Sequence, residues 1–150
     1  MGTLIYRCQP PQCKRHPEWA KNAVIYELNT RQFSPEGNFE GVLCQLERLK
    51  DLGVDVIWFM PVYPIGKERR KGSMGSYYSV RDYQAVNPEF GTFEEFKTLV
   101  RRIHDLEMKV ILDWIPNHTS RDAVWTTEHP DWYKWDEVKN EIETPWDWED

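Results

Sequence analysis

The residues best suited to chemistry fall in two stretches. The first is LDWIPNHTS, which brings Asp113, Asn117 and His118 within six positions of one another. The second is GKERRKGSMGSYYSVRDY, with Tyr77, Tyr78 and Asp82. A carboxylate can accept hydrogen bonds or move a proton, and a neutral imidazole offers one donor and one acceptor. An amide carbonyl is a proper ligand for a hard cation. A tyrosine in a loop offers a ring that packs on other apolar groups or stacks on a flat apolar face. By type alone each has a plain structural alternative. His118 by itself reads as a structural histidine, and Asp82 beside Arg81 reads as half of an exposed ion pair of little energetic value.

What must hold these residues is an alternation of short apolar runs and amphipathic segments. Ala23 to Leu28 (AVIYEL) is a strand bounded by turn formers. From Phe39 the apolar positions Phe39, Val42, Leu43, Leu46 and Leu49 keep the helical period, and Gly53 is placed to stop that helix after Leu52. Val56 to Met60 is an unbroken apolar run, as in a parallel strand covered on both faces, and Pro61 ends it. Thr92 with Glu95 forms a capping box ahead of a stripe of Phe93, Phe96, Leu99, Val100, Ile103 and Leu106. Lys109 to Asp113 (KVILD) is the third strand.

Strand, helix, strand, helix, strand implies right-handed crossovers and a parallel sheet, open or closed into a barrel. In either architecture ligands meet the C-terminal ends of the strands. Function is therefore sought after Leu28, after Met60 and at Asp113. The connection from Pro61 to Gly91 is long enough to be functional. The stretch after Asp113 lacks helical period and holds six of the eight Trp, so it reads as an excursion on the ligand side. Its rings Trp125, Trp132, Trp135, Trp146 and Trp148 fit a small satellite core as well as a sugar-binding surface. The chain divides into an N-terminal arm (1–22), the first β/α units (23–113) and the start of an inserted loop domain (114–150).

Composition removes several classes. With 19 Lys and Arg against 25 Asp and Glu the formal charge is -6, which gives no attraction for nucleic acid. No stretch can cross a bilayer, and MGTLIYRCQPP lacks the apolar run of a secretory signal, so no membrane partner and a cytoplasmic location are expected. Cys8, Cys13 and His16 are loosely metal-like in spacing, but a structural zinc site takes four ligands. A doubly wound nucleotide binder would need a glycine-rich loop after the first strand, and none is there. A complete α/β barrel needs roughly 250 residues, more than the 150 here.

The ordered set of segments resembles the α-amylase family of glycoside hydrolases. LDWIPNHTS is similar to that family's first signature region, YYSVRDYQAVNPEFGT to the segment before its second barrel helix, and AVIYELNTRQFS to its first strand. The resemblance implies an α/β fold, the N-terminal part of a TIM (β/α)8 barrel with about three strands and two helices, followed by the start of the domain inserted after strand 3. It implies that Tyr78 stacks on a sugar ring, with Tyr77 the neighbouring alternative, and that His118 hydrogen-bonds a sugar hydroxyl. Asp113, Asn117 and Asp82 are implied as supports, and Asn117 also as a calcium ligand. The implied partner is an α-1,4-glucan or maltooligosaccharide, cleaved with retention by carboxylates on later strands. Neither Glu27 nor Asp113 is assigned as catalytic. The alternatives left open are a related α-glucosidase, a transglycosidase or trehalose synthase, and a non-catalytic carbohydrate-binding remnant.

Overall fold

A computed structural model describes residues 16–144. Three parallel strands, β1 (Ile25–Leu28), β2 (Val56–Phe59) and β3 (Lys109–Leu112), lie in the order β1-β2-β3. Their register aligns Glu27 with Trp58 and Trp58 with Ile111, and one step later Leu28 with Phe59 and Phe59 with Leu112. Because side chains alternate along a strand, the sheet has two unlike faces. Tyr26, Leu28, Ile57, Phe59 and Val110 pack into the core against the helices. Ile25, Glu27, Trp58 and Ile111 share the opposite face, where Ile25 is 54% and Ile111 40% exposed.

A short helix, α1 (Thr30–Phe33), follows β1 directly and is capped by Asn29, whose side chain accepts from the Arg31 N–H. The single helix expected from Phe39 to Leu52 is two, α2 (Phe39–Leu43) and α3 (Leu46–Asp51). At the break the Gln45 N–H takes the Val42 carbonyl at 3.0 Å, a tighter i−3 turn. The apolar spacing survives the break, so Phe39, Val42, Leu46 and Leu49 are all buried in one cluster. Gly53 is the expected left-handed stop, with φ of 91°.

The second crossover helix is α4 (Phe93–Asp105), and both halves of its capping box form between Thr92 and Glu95. Phe96, Leu99 and Ile103 are buried as the period requires. Phe93 is not: it sits at the edge of the stripe on the first turn, 55% exposed, with the Lys97 ammonium over its ring. After β3 come α5 (Val124–Glu128), a 3-10 turn at Pro130–Trp132 and a hairpin of β4 (Trp135–Asp136) with β5 (Glu141–Ile142). The sequence showed no helical period here because α5, at 5 residues, is too short to display one. Among the described residues no helix is long and apolar enough to cross a membrane.

Candidate active-site mouth at the strand ends

The parallel ladder runs one residue past the strands, with the Met60 N–H donating to Leu28 and the Asp113 N–H to Phe59. That fixes Asp113 at the C-terminal rim of β3. The long connection between β2 and α4 rises from the rim as a narrow stem. Gly66 N–H donates to Ser79, Arg81 N–H to Pro64, and Ile65 bridges Val80 antiparallel. Tyr78 lies at the top of this stem, and its hydroxyl donates to Asp113 Oδ2 at 3.2 Å. Two residues 35 positions apart, picked out from separate stretches, are thus brought into direct contact.

Tyr77 is used differently. The Arg31 guanidinium lies 4.8 Å from its ring centroid, and Arg31 is held from the other side by Glu89 at 2.7 Å. Tyr77 also packs on the hydrophobic core. Of the two neighbouring rings, Tyr78 is the one turned to the rim carboxylate.

Asn117 and His118 follow Asp113 on an irregular segment. The Asn117 amide nitrogen is 3.3 Å from His118 Nδ1, and the imidazole is half-buried. Tyr83 anchors this segment: its hydroxyl donates to the Ile115 carbonyl and lies 3.1 Å from the His118 carbonyl oxygen. Asp82 faces elsewhere. Its carboxylate accepts from the Gln84 N–H at 2.8 Å, an Asx turn. Nor does it pair with Arg81, whose guanidinium turns instead to Asp122 at 3.5 Å.

The sequence did not single out Tyr63, Tyr83 or Asp122. Tyr63 follows the end of β2 and stacks at a tilt on Tyr83, whose other neighbour is Trp125, parallel at 4.8 Å. Trp125 meets Trp132 edge-on, and Trp132 lies flat on His129 at 4.0 Å. Trp125, Trp132 and His129 thus cluster against Tyr83, while Trp132 at 60% and Trp135 at 40% exposure present ring surface to solvent. Trp146 and Trp148, like Cys8 and Cys13, lie outside the described residues. His16 is exposed.

Electrostatics mark the same place. Burial and then the Asp113 charge push the Tyr63 phenol above its ordinary value; the Tyr78 phenol rises through burial, the charge and hydrogen bond of Asp113, and Glu27. Tyr83 is pushed up to about 12, by burial first and then by its neighbours Tyr133 and Tyr63. A phenol raised in the folded state stabilises the fold fully below its unfolded pKa of about 10, and that contribution is lost as pH rises through the folded value. The complete barrel is therefore expected to lose stability between about pH 10 and the Tyr83 value of about 12. Denaturant midpoints measured across this range should show a weaker alkaline slope in Tyr83→Phe; an unchanged slope would mean that Tyr83 is not its source.

The implied calcium ion finds little to hold it. Asn117 is exposed, its amide nitrogen faces His118, and no group of three or more His, Cys, Asp or Glu able to bind a metal occurs among the described residues. An ion that takes 6 to 8 oxygen ligands is not served by one amide oxygen. The donors present do not fit it, and no step below runs through a metal.

Comparison with known proteins agrees with this fold. The structure superposes on an α-amylase from Lactobacillus plantarum with a TM-score of 0.80 and 47% identity, covering 85% of this chain and 30% of that one. It superposes on a noncanonic maltogenic α-amylase from Thermotoga neapolitana with a TM-score of 0.75 and 40% identity, over 81% of this chain and 29% of that one. Among curated sequences, a probable oligo-1,6-glucosidase of Bacillus subtilis is 38% identical over 87% of this chain and 25% of its own length. The chain thus spans about a quarter of the length of that relative. The α-amylase catalytic-domain model matches residues 16–150. A parallel three-stranded sheet is what the start of such a barrel requires, and the chain belongs to the α-amylase catalytic-domain family.

Proposed function

We propose that these residues form the sugar-holding side of a site that cleaves α-1,4-linked glucans, such as starch, glycogen or maltooligosaccharides, with retention. The observation that carries this reading is the Tyr78–Asp113 contact at the rim of β3. A pyranose presents a face of C–H bonds that lies well on an aromatic ring. Asp113 anchors the phenol of such a ring, so the ring is oriented before substrate arrives and less is lost in ordering it. His118, on a segment tied down by Tyr83, supplies an imidazole to a sugar hydroxyl. Asn117 supports that imidazole from the neighbouring position.

Retention requires two carboxylates about 5 to 5.5 Å apart, one a nucleophile and one an acid and then a base. In this reading both stand on later strands of the barrel. Asp113 is engaged with Tyr78 and acts as a support.

A second reading is favoured by the Bacillus subtilis relative, named as a probable oligo-1,6-glucosidase. The barrel would be the same and the linkage different. Maltooligosaccharides and isomaltooligosaccharides offered in parallel to the complete protein separate the two. Faster release from the α-1,4 series is expected. Preference for the α-1,6 series would replace the first reading by the second, and cleavage of neither would remove both.

A further inference from the structure

The loop that carries Tyr78 is closed on itself by the Gly66–Ser79 and Ile65–Val80 pairing of its stem and by Arg70, which donates to the Gly66 and Ile65 carbonyls, but it buries little apolar surface. Between Lys67 and Arg81 only Val80 is buried, and residues 67–69 and 71–74 are exposed. The Tyr78 end of that loop is nevertheless the part that must meet Asp113. At its base one carboxylate, from the segment that follows β3, reaches both the entry and the exit of the loop.

Asp122 accepts the Lys67 N–H on both oxygens, at 3.2 and 3.0 Å, at the point where the chain enters the loop. Its Oδ2 faces Arg81 Nε at 3.5 Å, where the chain leaves it. The backbone on either side of Asp122 repeats the attachment. Ser120 N–H donates to the Val80 carbonyl at 2.8 Å and Val124 N–H to the Arg81 carbonyl at 2.9 Å. Gly66 makes the approach possible, since a Cβ there would stand 2.2 Å from Ser120 Cβ and 2.7 Å from Asp122 Oδ1.

Burial opposes charge on Asp122, yet the Lys67 N–H and the Arg81 guanidinium among its partners hold its pKa below the ordinary aspartate value. The carboxylate is thus ionised, and the clamp closed, across the neutral range. We propose that Asp122 is a positioning residue of the sugar site: it pins both ends of the Lys67–Arg81 loop and so fixes where Tyr78 stands relative to Asp113. The clamp itself is a matter of loop geometry; its consequence for catalysis rests on the α-glucan reading above.

The test uses the protein with its barrel complete, as Asp122→Ala and Asp122→Asn, each with Tyr78 intact and with Tyr78→Ala. Native-state trypsin digestion reads the clamp, because Lys67, Arg69, Arg70, Lys71 and Arg81 all lie in or beside the loop. D122A should cleave there about tenfold faster while the rest of the barrel stays resistant. D122N, which keeps an oxygen for Lys67 but no charge for Arg81, should fall between. Cleavage at the parent rate in both variants would overturn the clamp.

Kinetics read the link to Tyr78. D122A should lower kcat/KM about tenfold when Tyr78 is present and less than about twofold when it is already Ala, since groups acting through one another are not additive. Equal losses in both backgrounds would overturn the positioning role and leave Asp122 a general stabiliser. Should D122A unfold the whole barrel, D122N decides by the same two readouts. If no α-glucan is cleaved by the parent protein, the substrate reading fails, and digestion still decides the clamp.

Discussion

Tyr78→Ala is expected to lower kcat/KM on maltooligosaccharides by roughly 10- to 70-fold in the complete barrel, the largest loss of any single change in these residues. Stacking contributes about 0.5 to 1.5 kcal/mol beyond the area covered, and the apolar contact itself adds about 1 kcal/mol. The combined loss is then about 1.5 to 2.5 kcal/mol, and each 1.36 kcal/mol is tenfold in rate. Tyr78→Phe separates the ring from its tether. It keeps the stacking surface and gives up the bond to Asp113, so a loss of about tenfold or less is expected. Steady-state kinetics with separate kcat and KM values check both. An unchanged rate for Y78A would remove Tyr78 from the site, and equal losses for Y78F and Y78A would assign its effect to the hydroxyl.

The fold was legible wherever burial imposes a period. Leu99 and Ile103 had to face the sheet because helical spacing puts them on one side of α4, and they do. The apolar run over β2 called for a strand covered on both faces. Val56, Ile57 and Phe59 are buried, but Trp58 is only half-buried, and the residues paired with it are Glu27 and Ile111, both exposed. The sequence of β1, β2 and β3 thus carries apolar residues for a barrel interior that the described residues alone do not fill. The break between α2 and α3 left no trace in the pattern, because a tightened turn at Gln45 costs nothing in which residues face inward.

In the proposed site, the residues that the sequence offers are those standing in a local pattern. Asp113, Asn117 and His118 lie within one short stretch, and Tyr78 in another. Asp122 could not be found this way, since its partner Lys67 is 55 positions distant and a carboxylate receiving a backbone N–H leaves no period. Tyr83 escaped for the same reason: it acts through the carbonyls of Ile115 and His118, which every residue possesses. Asp82 was read by its spacing alone. It stood at a spacing that implied support for the site, and an Asx turn to Gln84 accounts for the contact it makes.

Prepared as a separate 150-residue polypeptide, these residues are expected to melt without a cooperative transition, to associate as concentration rises, and to release no sugar from α-glucans. The reason lies in the sheet. Among the described residues both β1 and β3 are edge strands, paired only on the β2 side, and an open edge is a template for pairing with another chain. Among the described residues Ile25 and Ile111 stand exposed on the face away from the helices, Leu112 is 42% exposed on the other face, and Trp114 at 72% adds apolar surface past β3. Burying such residues is worth about 1.5 to 3 kcal/mol each, comparable in sum to the net stability of a small domain. Leaving several of them in water while two edges stay open removes much of what would offset chain entropy. Scanning calorimetry, sedimentation at several concentrations and a reducing-sugar assay together form the test. A sharp transition in a monomer would show that the α2–α4 core suffices without the rest of a barrel, and measurable turnover would place the cutting carboxylates inside these residues after all.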